Sequence, residues 1–329
     1  MTHSTRRVVL NTFAALAALA ACALPADVAA QAYPDRTVRI IVPSPAGGPT
    51  DVGTRIIAER LAVEWGQPVI IENRPGANNI VGTVAAARAA PDGYTLLMAL
   101  DSTLTMAPAL YPKLPYNPAK DFAPVILAFR APIILITDAV TGPKSLRELL
   151  QMAKDQPGKL TAGAGTLTSQ LGVERLKSEL GLDIRLIPYK GSAGTTLGLL
   201  TGDVTFTLDG VAAALPHIRS GRLRALANLA QQPVAALPGL PSFSGEAGLP
   251  KFDVTVFLGL MVPAGAPQAV IEKINRDVNR MLQIPEVREK LAGAGLEPGG
   301  GSPSEFQAYI QEQGAIWTRV VKTSGFKVE

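Results

Sequence analysis

The stretch Val38-Arg39-Ile40-Ile41-Val42-Pro43-Ser44-Pro45-Ala46-Gly47-Gly48-Pro49-Thr50-Asp51 decides the fold. Its first residues form a short apolar run that reads as a buried strand. Ile57, Leu61 and Trp65 then recur every four residues up to Gly66, which reads as an amphipathic helix over 51–65. A strand, a Gly-Gly turn and a helix start leave several backbone N–H groups unpaired and converging on one point, which is an anion site. The loop lacks the Lys that a nucleotide-binding P-loop carries after its last glycine, so it suits small carboxylates better than phosphate. A purely structural reading stands beside this one, in which the glycines only permit a tight turn.

Working outward, strand and helix patterns alternate along most of the 329 residues, which argues for α/β architecture with largely parallel sheets. Strands are expected at 68–72, 95–99, 184–188 and 204–208, and helices at 79–89 and 146–154, the latter with a capping box of Ser145 and Glu148. Ser192 can cap a further helix. A chain this long exceeds what one core usually serves, so two lobes follow. The apolar run 124–136 is too long for one strand of one sheet and reads as a passage from one lobe to the other, and 256–263 reads as the return. Ile271, Ile274, Val278 and Met281 mark one terminal helix. Phe306, Tyr309, Ile310, Gln313 and Trp317 mark the last, which Ser302-Pro303-Ser304-Glu305 starts with cap, proline and capping box together. Two crossings make a hinge, and the glycine-rich turns of both lobes then face a shared cleft. The expected limits are a signal segment at 1–32, a first lobe from 33–127 and 256–329, and a second lobe at 128–255.

Arg6 and Arg7, an Ala- and Leu-rich run from Val8 to Leu24 and small residues up to Ala32 form a secretory signal. Two processing sites compete. Ala30-Gln31-Ala32 fits cleavage before Tyr33, whereas Leu19-Ala20-Ala21-Cys22 fits a lipobox that would anchor the protein through Cys22; the arginine pair also resembles a twin-arginine signal. Either route makes the protein extracytoplasmic, in the periplasm. Removing residues 1–32 takes away Arg6, Arg7 and Asp27 and lowers the net charge from +4 to +3. So mild an excess, with no basic cluster, argues against nucleic acid.

These stretches resemble one family. Tyr33-Pro34-Asp35-Arg36, the Pro43–Asp51 loop, Glu72-Asn73-Arg74-Pro75-Gly76-Ala77, Pro91-Asp92-Gly93-Tyr94-Thr95-Leu96-Leu97, Asp121-Phe122-Ala123-Pro124-Val125, Pro188-Tyr189-Lys190-Gly191-Ser192, Leu215-Pro216-His217-Ile218-Arg219-Ser220-Gly221 and Val262-Pro263-Ala264-Gly265 occur here in that order. Together they make the chain similar to the Bug-type solute-binding receptors of tripartite tricarboxylate transporters, over essentially all of it after residue 32. The resemblance implies a two-lobed periplasmic-binding-protein fold, a type II clamshell, that closes on a small carboxylate without cofactor or metal and hands it to the membrane components of such a transporter, by default as a monomer. It implies that ligand is held by backbone amides and water of the first loop, from Ser44, Ala46, Gly47, Gly48, Thr50 and Asp51. It further implies contacts from Ser102 after the third strand, from Gly165, Thr166 and Ser169, from Tyr189, Lys190 and Gly191, and from Asp209. The chain departs from the family pattern at Gln170, Leu104-Thr105, Phe257 and Gln231-Gln232, where His, Thr-His, Trp and Arg are common. The departures leave a more neutral pocket.

Several of these residues carry a plainer reading too. Asp51 can orient water or an ammonium group, or simply favour the helix dipole. Arg74 reads as a tie for its turn, Lys190 as a solvated charge that attracts anions, and Asp209 either as a ligand acceptor or as a helix cap. Two other functions compete with transport. A sensor feeding a two-component kinase would keep the same fold. A hydrolase would have to recruit His217, the one histidine left after residue 32, and no nucleophile elbow or metal-ligand spacing accompanies it.

Overall fold

Short apolar runs closed by Pro or Gly fold as strands throughout the chain, because β-branched and leucine side chains pack best on a sheet covered on both faces. The structure, a computed structural model, describes residues 33–328; the export signal, Cys22 and both processing sites lie outside the described residues. Residues 36–328 form one compact unit.

The first sheet starts from β1 (Val38–Val42), flanked in parallel by β2 (Val69–Asn73) and β3 (Thr95–Leu100). β4 (Phe122–Asp138) carries the second sheet, where β5 (Thr161–Ala164) lies parallel to β6 (Arg185–Pro188) and to β7 (Phe206–Gly210), with β8 (Leu223–Asn228) antiparallel to β4. β9 (Thr255–Pro263) returns to the first sheet between β3 and β4, and β10 (Glu297–Gly300) pairs with β4. The order is β2-β1-β3-β9-β4-β7-β5-β6.

β4 is the passage that the long apolar run predicted. Phe122 to Pro132 pair with β9, and Ile133 to Asp138 pair with β7 and β8. Register slips at Pro124/Ile126 and Leu127/Phe129 add twist before the strand leaves the first sheet. The return differs from expectation: all of β9 lies against the first sheet, and the crossing comes just before it, where the Val254 amide donates to Leu229 O at 3.0 Å.

Nine helices matter for the site and the core: α1 (Pro49–Trp65), α2 (Ile80–Ala87), α3 (Leu146–Asp155), α4 (Leu167–Leu180), α5 (Ser192–Thr201), α6 (Val211–Arg219), α7 (Gln268–Met281), α8 (Pro285–Gly293) and α9 (Pro303–Ser324). A π-helical turn, Ser102–Met106, follows β3. α1 begins two residues before its expected start because Pro49, with φ fixed and no N–H to satisfy, suits the first helical position. The capping box of α9 is present in full, with Ser302 and Glu305 exchanging bonds. That of α3 is modified: Ser145 accepts from Glu148, but the Glu148 carboxylate reaches one residue further back, to the Lys144 amide at 2.7 Å. Ser192 does not cap α5. Gly191 does, at φ 81°, and the Ser192 hydroxyl is turned toward Asp209.

α9 serves both sheets. Its first half buries Phe306 and Ile310 with Ile41, Leu97 and Phe257, and its second half buries Trp317 and Val320 with Leu171, Leu208 and Phe243. Phe257, expected to bear on the pocket, is instead 1 % exposed and packs edge-on against Phe306 and Tyr309. Trp317→Ala should therefore cost about 3–5 kcal/mol, read from urea unfolding midpoints. A loss below about 1 kcal/mol would mean that the far half of α9 is not anchored in the second core.

Candidate functional site

The loop between β1 and α1 is held from inside. Gly47 takes φ +82°, which turns its amide toward Asp51, and Asp51 Oδ2 accepts from it at 2.9 Å. Arg55, one turn along α1, grips the same carboxylate with Nε at 2.9 Å and Nη2 at 3.0 Å. Asn73, at the end of β2, donates both to Asp51 Oδ1 at 2.9 Å and to Ser44 O at 3.2 Å. Asp51 is 2 % exposed. Burial pushes its carboxyl up, but the bonds from Arg55, Gly47 and Asn73 outweigh that and hold it below the usual carboxylate range. The carboxylate is thus committed to its own loop, where it stiffens the backbone that an anion would meet.

What that backbone offers is a set of donors. Gly48 caps α1 without a side-chain bond, and the Val52 amide is the first to reach back, to Gly48 O at 2.9 Å. The amides of Thr50 and Asp51 have no carbonyl one turn behind them. In the same loop Ser44 Oγ is buried without a partner.

In the second sheet two turns are zipped together. Gly191 N donates to Gly165 O at 3.1 Å, and Tyr189 N donates to Ala164 O at 2.9 Å. A Cβ on Gly165 would meet the Gly191 carbonyl at 2.6 Å, so only glycine allows this approach. Thr166 caps α4, its Oγ1 accepting from the Ser169 amide at 3.1 Å and pairing with Ser169 Oγ at 2.9 Å. Asp209 accepts from Ser192 Oγ and Thr195 Oγ1, both at 2.6 Å, and from the Gly210 amide at 2.8 Å. It fastens α5 to β7; the resemblance put Asp209 near the pocket, with a helix cap as the plainer reading, and its partners are the hydroxyls of the first turn of α5.

A cavity of about 550 Å³ opens beside these turns, lined by Gly165, Thr166, Gln170, Tyr189 and Lys190, by Asn78 from the turn after β2, and by Phe326 and Lys327 after α9. Of the sequence-predicted residues, Gly165, Thr166, Tyr189 and Lys190 come together there. Ser44, Ala46, Gly47, Gly48, Thr50 and Asp51 form the separate first loop, in which Thr50 and Asp51 are buried. Ser102 and Ser169 are buried, Gly191 caps α5, and Arg74 is spent on Glu72. Sequence reasoning missed the supports Arg55 and Asn73 and the tail residue Lys327; only the i,i+4 spacing of Asp51 and Arg55 signalled any of them. A larger cavity, about 980 Å³, lies between α4, the 249–253 turn and the outer face of α9. Its buried Arg175 is already occupied by Glu179 and the carbonyls of Lys251 and Asp253. Among the described residues no group of three or more His, Cys, Asp or Glu is placed to hold a metal, and no helix is long and apolar enough to cross a membrane.

Comparison with known proteins decides the family. The family model described as tripartite tricarboxylate transporter family receptor matches residues 54–326. The chain belongs to this receptor family. It is 36 % identical to the protein BugT of Bordetella pertussis over 314 residues, 94 % of this chain and 96 % of that protein. An R. palustris protein solved with adipate is 33 % identical and superposes with a TM-score of 0.79, covering 89 % of this chain and 98 % of the other. MatC from Rhodopseudomonas palustris, solved with bound malate, is also 33 % identical, with a TM-score of 0.74 over 88 % of this chain and 100 % of its own. The receptor therefore has the two-lobed clamshell fold of solute-binding proteins.

The depressed Asp51 carboxyl has a signed consequence for stability. A folded value below the unfolded one, about 3.9, contributes stability that is present above about pH 4 and is lost as pH falls through the folded value. Asp51→Asn should remove that contribution, so that wild type and variant differ near neutral pH and converge on acidification. Urea midpoints measured between pH 2 and pH 7 check this; a constant gap would show that Asp51 does not titrate with its partners.

Proposed function

We propose that this receptor acts outside the cytoplasm, captures a small carboxylate between its lobes and delivers it to the membrane components of a tripartite tricarboxylate-type transporter. The observation that carries the reading is the first loop: helix-start amides without internal partners, and in the same loop the buried, unpartnered Ser44 hydroxyl, on a backbone held by Asp51, Arg55 and Asn73. Such a surface binds a carboxylate through N–H donors and the helix dipole without needing a cation. Lys190 and Lys327, both on the cavity by the second-lobe turns, add attraction for an anion. The relatives solved with adipate and malate point to C4–C6 dicarboxylates as first candidates. In this reading the first lobe is the expected 33–127 with 256–329, extended by residues 128–132 and Thr255, which pair within the first sheet, and the second lobe is 133–254. Binding acts by favouring the closed arrangement over the open one.

A thermal-shift screen of the chain lacking residues 1–32 against small carboxylates tests the proposal. A ligand at a hundred times its dissociation constant adds about 2.7 kcal/mol, a shift of several degrees. No shift with any di- or tricarboxylate, amino acid or aromatic acid would remove the carboxylate assignment. Gly48→Asp makes the test residue-specific. A Cβ there meets only Pro45 O at 3.6 Å, and aspartate is a favoured N-cap, so the variant should melt no lower than wild type. Its carboxylate would occupy the amides, and carboxylate binding should fall at least tenfold. Unchanged affinity would remove the first loop from the site.

A further inference from the structure

Gln313 sits on the apolar face of α9 between Ile310 and Trp317 and is 7 % exposed. A polar side chain at a core position needs hydrogen-bond partners, because a buried amide left unpaired is costly. Gln313 has none among the described residues. Its side chain lines the cavity of about 980 Å³ between α4, the 249–253 turn and α9. Three other groups in the same lining keep bonding capacity. Asp253 accepts from Thr255 Oγ1 at 2.5 Å through Oδ1, and its Oδ2 has no partner among the described residues. Gln231 donates through Nε2 to Phe252 O at 2.7 Å, which leaves its Oε1 to accept. The Tyr309 hydroxyl accepts from Arg130 and keeps its own O–H to give.

The charges of the lining say what kind of molecule these groups suit. Arg175, Lys251 and Arg319 are balanced by Glu179, Asp253 and Glu312, so the cavity has no net sign. Arg175 is engaged with Glu179 and the 251 and 253 carbonyls. At Asp253 the Arg175 and Arg130 charges oppose a cationic ligand, and Glu312 opposes an anionic one. The open positions are acceptors on Asp253, Gln231 and Gln313 together with donors on Gln313 and Tyr309. A hydroxyl both donates and accepts, so it can pair with each of them; an ammonium only donates and a carboxylate only accepts. Leu249, Pro250 and Ile316 supply an apolar wall, and the volume lies in the range of small-molecule sites.

We propose that this cavity is a second ligand site, apart from the first loop, and that it takes a neutral polyhydroxylated molecule, a sugar or polyol. Hydroxyls of the ligand donate to Asp253 and Gln231, exchange bonds with the Gln313 amide and accept from Tyr309. Gln313 is the discriminating residue, since the bound molecule supplies the partners that the protein does not. The site uses none of the first-loop amides, so it stands or falls independently of the carboxylate assignment.

A 15N–1H titration of the chain lacking residues 1–32 tests it, with glucose and myo-inositol as neutral probes and butyrate and butylammonium as charged ones. A neutral probe should move the Gln313 side-chain NH2 pair saturably, together with the Lys251 to Asp253 backbone amides, and the charged probes should not. Gln313→Leu keeps the volume and removes the unpaired amide, so it should melt no lower than wild type and respond to dicarboxylates as wild type does. Its affinity for the neutral probe should fall about tenfold or more. Asp253→Asn, which keeps an acceptor but loses the charge that strengthens it, should weaken the same probe several-fold. Three results would overturn the proposal: a Gln313 amide unmoved by both neutral probes, movement with a charged probe alone, or neutral-probe affinity unchanged in Gln313→Leu.

Discussion

Seventeen consecutive residues, Phe122 to Asp138, form one strand that two sheets share. Each sheet needs β4 for its hydrogen-bond ladder, so the two cannot separate without breaking backbone bonds in both. What remains possible is a change of twist along β4 where it passes from β9 to β7 and β8, together with the short crossing before β9. α9 limits that freedom from outside, with Phe306 in one core and Trp317 in the other. The fold is therefore a hinge whose two halves are continuous in backbone and joined by one long helix.

On this frame the donors of the proposed site are backbone amides, and side chains set that backbone. Asp51 joins the first loop to α1 and β2, and Asp209 joins α5 to β7. Neither carboxylate needs to face a ligand to decide where the amides point. Carboxylates used this way avoid a repulsive charge at an anion site, because their bonds to Arg55, Asn73, Ser192 and Thr195 direct them inward.

Much of this was legible in the sequence where the signal is local. The β1 loop, the α9 capping box and the excess length of the 124–136 run each depend on residues close together, and each found its counterpart. Periodicity showed which face of α9 is apolar. It did not show that the face runs on from one core into another, since a helical pattern says nothing about its neighbours. Gly191 displaced Ser192 as a cap because the contact between Gly165 and Gly191, 26 positions apart, governs that turn. The bond from Thr168 to Asp101 spans 67 positions and leaves no pattern in either segment. Phe257 was placed by family pattern on the pocket, and the rings of Phe306 and Tyr309 bury it instead.

The central claim is that the helix-start amides of the first loop meet the ligand. Backbone 15N–1H spectra of the chain lacking residues 1–32, titrated with C4–C6 dicarboxylates, test it most directly. Downfield movement of the Gly48, Thr50 and Asp51 amides, together with movement at Gly165 to Ser169 and Tyr189 to Ser192, is the predicted result. Saturable binding with those amides unmoved, and shifts confined to the α4 and α9 cavity around Arg175 and Phe252, would contradict it.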